Sequence, residues 1–203
     1  EIIFNDGSGT ASLTVDAANQ HVSINNGNLV IGSAGQGIDF AVQTPSATGT
    51  TGDEVLNHYE EGTFSPTYYA TGDDFTSIVY HAQRGGRYTK IGNMVHFQAI
   101  LRDGGSGGVG IGSPTGDLRI GGLPFTSVSS TGSTKDGWCA VSIGWADNFN
   151  NKPTNAFVID AETNVKLNYQ ATHGADFTAV PASALTGING DDWMIIAGTY
   201  IAS

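Results

Sequence analysis

The sequence predicts an all-β chain in two parts: a short-stranded, trimeric shaft segment over residues 1–58, then an antiparallel, jelly-roll-like β-sandwich over 59–203. Three observations carry this prediction. Glycine is abundant, at 29 of 203 residues, and only 13% of residues are charged, so tight turns are frequent and Thr, Ser and Asn fill the gaps between apolar runs. No window of helical length carries the i, i+3, i+4, i+7 apolar pattern without a Gly or Pro break. The apolar rhythm also changes near residue 60, from isolated pairs to long alternating runs.

In the first part, apolar residues stand two apart at Leu13/Val15, Val22/Ile24, Leu29/Ile31 and Ile38/Phe40, separated by turn formers such as Asn25-Asn26-Gly27. Such pairs read as strands of three to five residues that bury two side chains each. A sheet that small is marginal alone. Three chains wound about one axis would supply the missing inward faces. A single-chain meander packed on the next domain is the alternative.

From Gly62 the strands lengthen. Arg87–Ile91, Gly92-Asn93 and Met94–Leu101 form a hairpin pattern, because a two-residue turn containing Gly supplies the positive φ that matches strand twist. Further strands are expected at Phe64–Ala70, Thr76–His81, Asp117–Ile120, Trp138–Ala146, Ala156–Asp160, Val165–Ala171 and Asp192–Ile201. Within Trp138–Ala146, alternation points Cys139, Val141, Ile143 and Trp145 inward, and Cys139 reads as a small core hydrophobe. The last strand is apolar on both faces, as a central or contact strand would be. About nine strands with regular turns indicate two packed antiparallel sheets.

The net charge of -11, with eight Lys and Arg against 19 Asp and Glu, argues strongly against a nucleic-acid partner, which needs a basic stripe. It also disfavours docking on an anionic membrane. No apolar run approaches the roughly 18 residues of a membrane span. The chain begins at Glu1 without a Met, as a fragment of a longer protein would.

Catalytic chemistry finds little support in the residues. Glu60/Glu61, Asp73/Asp74 and Asp191/Asp192 are adjacent carboxylates, and neighbours on a strand point to opposite faces, so they make poor hydrolytic dyads. The five histidines stand at no metal-ligand spacing, and no Asp-x-Asp-x-Asp-Gly run exists. No cofactor is expected, although loop carboxylates leave a structural divalent cation open. Residues 104–116 are glycine-rich without the Lys-Ser/Thr ending of a phosphate loop.

Binding features are better placed. Aromatic, amide and carboxylate groups together can stack on a sugar ring and bond its hydroxyls. Three stretches fit, giving Tyr68, Tyr69, Asp73 and Asp74 in the first, Lys135, Asp136 and Trp138 in the second, and Asn148 and Phe149 in the third. Core or subunit contacts are the competing role for the aromatics. If every connection reverses direction, the loops after Tyr69 and before Trp138 share the end away from the shaft.

Residues 55–67, Val-Leu-Asn-His-Tyr-Glu-Glu-Gly-Thr-Phe-Ser-Pro-Thr, resemble a segment of tail fibre proteins of tailed bacteriophages, particularly those of marine bacteria. Gly27–Gly32, Gly37–Phe40, Gly86–Phe97 and Gly122–Phe125 resemble the same family in the same order. The resemblance implies a homotrimeric fibre on the virion, whose tip adheres to a host cell-surface polysaccharide or an outer-membrane receptor. It implies no particular binding residues, and it makes Glu60 and Glu61 joint residues that satisfy backbone amides. A tail-spike-type depolymerase or deacetylase and a purely structural fibre segment are the alternatives to a non-enzymatic adhesin.

Overall fold

The computed structural model describes residues 2–5, 11–16, 18, 21–24, 29, 38–39, 55–56, 58–104, 112–130, 137–186 and 192–203. These fall into two compact units, Glu1–Asn57 and His58–Ser203.

In the first unit, β1 (Ile2–Asn5), β2 (Ala11–Asp16) and β3 (His21–Ile24) form an antiparallel sheet, and β4 (Ile38–Asp39) pairs with β5 (Val55–Leu56). Register aligns Val15 with Val22 and Leu13 with Ile24, so four apolar positions share one face, and along the backbone Ile2 pairs with Val15 and Phe4 with Leu13. Within this set Val22 is 63% exposed. The pairs Leu13/Val15 and Val22/Ile24 therefore lie in strands as expected. Leu29 lies in no strand, and Ile31 and Phe40 fall outside the described residues.

The second unit is an antiparallel sheet of ten strands. They are β6 (Tyr59–Phe64), β7 (Thr67–Ala70), β8 (Gly85–Ile91), β9 (Met94–Arg102), β10 (Leu118–Gly121), β11 (Cys139–Asp147), β12 (Asn155–Val158), β13 (Asn164–Tyr169), β14 (Thr178–Ala179) and β15 (Trp193–Ile201). Their order is β6-β8-β9-β15-β11-β12-β13-β10-β7, with β14 on β13. The sandwich-like arrangement comes from one curled sheet, whose inward residues meet in a single core. Val95, Phe97, Ala99 and Leu101 of β9 alternate into that core. They meet Met194, Ile196 and Tyr200 of β15, Leu118 and Ile120 of β10, and Val165 and Leu167 of β13. Burying each large side chain contributes roughly 1.5–3 kcal/mol.

The two ends of this path, β6 and β7, are consecutive in the chain. Only Ser65 and the buried Pro66 separate them. The expected single strand Phe64–Ala70 is therefore two strands meeting at a corner, with β6 on β8 and β7 on β10. Proline, lacking an N–H, suits a position where neither ladder continues. Three glycines pack against this corner. A Cβ on Gly62 would lie 2.5 Å from the Tyr88 hydroxyl, one on Gly86 would enter the Phe64 ring, and one on Gly122 would lie 2.8 Å from the Ser65 carbonyl oxygen. Aromatic contacts continue the lock, Phe64 on Phe97, Phe97 on Tyr200 and Tyr88 on Phe125. The Tyr200 hydroxyl donates to the Phe125 carbonyl at 2.9 Å and accepts from its N–H at 3.1 Å.

Glu60 accepts a hydrogen bond from the Tyr88 hydroxyl at 2.5 Å and Glu61 one from the Tyr59 hydroxyl. These carboxylates hold phenols rather than the backbone amides expected of them.

The Gly92-Asn93 hairpin forms with the expected register, Ile91 opposite Met94, and β15 is central, between β9 and β11. Two expectations fail. Thr76–His81 is no strand and makes a single bridge, Tyr80 with Asp103. Trp145 points outward, 49% exposed, because Ile143 faces Ile196 while Trp145 faces Ile195, leaving Gly144 as an extra residue that reverses side-chain parity. Cys139 is half-buried and packs against the core.

Gly122 has φ +88°, so Gly122→Ala combines backbone strain with the Ser65 clash and is expected to cost on the order of 2 kcal/mol. Gly92→Ala, at φ +60° with open space around it, is expected to cost about 1 kcal/mol. Urea unfolding midpoints of the two variants check the difference. Burial pushes the Tyr200 phenol up to about 12, from an ordinary value near 10. Its contribution to stability is thus complete below pH 10 and is lost as pH rises towards 12. Unfolding followed across that window should show this loss in the wild type and a flatter profile in Tyr200→Phe.

Candidate surface for ligand binding

Seven of the nine expected site residues lie among the described residues, and strand parity separates the two tyrosines. Tyr68 is 3% exposed and faces the core, stacked on Tyr80 at 6.3 Å and edge-on to Phe149 at 6.1 Å. Its N–H donates to the Tyr80 hydroxyl at 2.7 Å. Burial, then the charges of Asp103 and Asp192, hold its phenol well above the ordinary range. Phe149 is buried beside it. Tyr68 and Phe149 are therefore packing residues, since neither presents a ring to solvent. Asp74 accepts from the N–H groups of Ala70 at 3.2 Å and Phe75 at 2.8 Å, and so closes the turn after β7. Asp73 is exchanged with Thr115, its N–H donating to the Thr115 hydroxyl at 2.8 Å and its carbonyl accepting from the Thr115 N–H at 2.9 Å. Asn148 takes a left-handed turn at φ 65° after β11. Lys135 and Asp136 lie outside the described residues.

Tyr69 and Trp138 face outward, and the sheet joins them. Cross-strand register aligns Tyr69 with Arg119, Arg119 with Lys166, Lys166 with Phe157, and Phe157 with Ala140. Five strand positions at about 4.8 Å spacing make a row some 19 Å long. At its end Trp138, 46% exposed, stacks on Phe157 with centroids 5.1 Å apart and planes at 13°. The Trp138 indole N–H donates to Asp160 at 2.9 Å, which fixes the ring. Arg119 donates to Glu162 at 2.8 Å and to Asn164 at 3.3 Å, and Lys166 stands 3.9 Å from Asp117. Burial raises the Tyr69 phenol, and the Arg119 guanidinium opposes the shift. The row thus offers flat apolar rings at one end and donors and acceptors along its length, the combination that holds a sugar ring.

The loops after Tyr69 and before Trp138 do not share an end of the sheet. Each strand from β7 through β10, β13, β12 to β11 is antiparallel to its neighbour, so β7 and β11 run the same way. The end of one and the start of the other are at opposite ends. The turn after β7 instead lies with the turn after β11, through Tyr68 and Phe149. Arg119, Lys166 and Phe157 were absent from the sequence-based set, because only the pairing of strands distant in sequence brings them together. Among the described residues no group of three or more His, Cys, Asp or Glu is placed to hold a metal ion.

No family model and no curated protein sequence matches the chain. Among solved structures it is similar to the crystal structure of the Dettilon tailspike protein (gp208), with a TM-score of 0.51 and 18% identity. The match covers 71% of this chain and 24% of that one, so the chain spans about a quarter of the tailspike's length. At that identity the likeness concerns the fold.

Proposed function

We propose that the chain is the host-binding part of a bacteriophage tail protein, acting at the tip of a virion tail fibre as a homotrimer that adheres to cell-surface glycan without cleaving it. The likeness of most of the chain to part of a tailspike protein carries this reading. The first unit supports the trimer. A three-stranded sheet with four apolar positions on one face, Val22 among them at 63% exposure, is marginal alone and gains most from copies of itself. The outer row supports the glycan, since Trp138 and Phe157 offer a stacking platform beside groups suited to hydroxyls. Three weak sites on one particle then act with the avidity of all three.

Light scattering on the full chain should give a mass close to three times 21.0 kDa. Val22→Asp should reduce it towards a single chain. Fluorescently labelled protein should adsorb saturably to host bacteria, Trp138→Ala should reduce adsorption by about tenfold or more, and polysaccharide viscosity should not change on incubation. A stable 21.0 kDa species, or adsorption indifferent to Trp138, contradicts this reading. A fall in viscosity would point to the depolymerase instead.

A further inference from the structure

A second feature lies on the outer face of β6, β8 and β9, away from the Tyr69–Trp138 row. It is an open cleft of about 510 Å3 whose lining includes Arg84, Arg87, Thr63, Ser65, Gln98 and Ile100; among the described residues no Asp or Glu lines it, and Glu61 lines the adjoining hollow that shares Thr63, Arg87 and Gln98. In a chain with 19 carboxylates and eight Lys and Arg, that distribution is unusual. Arg119, Lys152 and Lys166 each stand beside a carboxylate. Arg84 instead lies over the Tyr80 ring at 4.1 Å, and among the described residues neither it nor the exposed Arg87 has an ion-pair partner. Gly85 faces Ile100 across the ladder, and a Cβ there would meet nothing within 4 Å. The missing side chain keeps the cleft open.

We infer that this cleft binds the anionic group of an acidic saccharide. A guanidinium matches an oxyanion in geometry and charge, and Arg84 and Arg87 both line this cleft, neither of them ion-paired among the described residues. The Thr63 and Ser65 hydroxyls and the Gln98 amide are suited to ring hydroxyls, while Ile100 gives an apolar wall for the C–H face of a sugar. An open cleft admits a residue within a chain, which a closed pocket would not. The net charge of -11 repels acidic polymers at long range, so affinity here is weak and falls further as salt screens the local attraction. The shared ligand chemistry is an oxyanion on a sugar, supplied by a carboxylate or by a phosphate.

Saturation-transfer NMR titrations of the full chain at low salt with glucuronic acid, glucose 6-phosphate and glucose test the inference. The charged sugars should bind at least about tenfold more tightly than glucose, and added salt should weaken only them. The tighter of the two identifies a carboxylate or a phosphate ligand. Gly85→Glu, which fills the cleft with an opposing charge, and Arg87→Gln should each lose about tenfold or more with an unchanged melting temperature. Arg87→Lys should retain part of the binding. Trp138→Ala should lower whatever binding the outer row gives to all three sugars alike and leave the preference for the charged ones intact, which separates this cleft from the outer row. Equal binding of glucose, no binding by any of the three sugars, or wild-type binding by Gly85→Glu and Arg87→Gln would overturn it.

Discussion

The second unit depends on one constraint: a single run of chain must leave one edge of the sheet and enter the other. β6 ends at Phe64 and β7 begins at Thr67, and between them the backbone turns a corner too tight for side chains on its neighbours. Gly62 lies beneath the Tyr88 ring, Gly86 beneath Phe64, and Gly122 against the Ser65 carbonyl. Each glycine removes a Cβ so that an aromatic ring or a backbone oxygen can occupy its place. The rings then pack on Phe97 and Phe125, and the Tyr200 hydroxyl ties Phe125 to the central strand. Curling brings the inward faces of all the long strands into one core. The corner is what lets one short chain segment belong to both edges.

The corner also draws on three separate stretches of the sequence. Tyr59–Thr67, Gly86–Phe97 and Gly122–Phe125 are far apart in the chain, yet they supply the glycines and the rings of this one junction. Their pattern is a packing requirement. Glu60 belongs to it, since its carboxylate holds the Tyr88 hydroxyl over Gly62. Ligand chemistry has to be sought on the outward positions, where residues can change without disturbing the core beneath them.

Local features were legible in the sequence, and long-range ones were not. The Gly92-Asn93 hairpin was legible because its turn chemistry and alternation lie within sixteen residues. Trp145 was misplaced because a one-residue bulge at Gly144 has no sequence mark beyond the glycine itself. Thr76–His81 alternates like a strand, but it finds a neighbour only at Tyr80. Tyr68 and Tyr69 show the limit most clearly. They are adjacent and chemically alike, and strand parity sends one to the core and the other to the surface. The outer row needs the pairing of β7, β10, β13 and β12, and the arginine cleft needs the side-chain vacancy at Gly85 opposite Ile100. Neither is visible in spacing.

A double-mutant cycle between Gly62→Ala and Tyr88→Ala in the full chain tests the corner most directly. If the Tyr88 ring occupies the space of a Cβ at position 62, Gly62→Ala destabilises the wild type but is neutral or stabilising once Tyr88 is Ala. The coupling energy should then exceed about 1 kcal/mol. Additive effects, within about 0.5 kcal/mol, would contradict the interlock and with it this account of the corner.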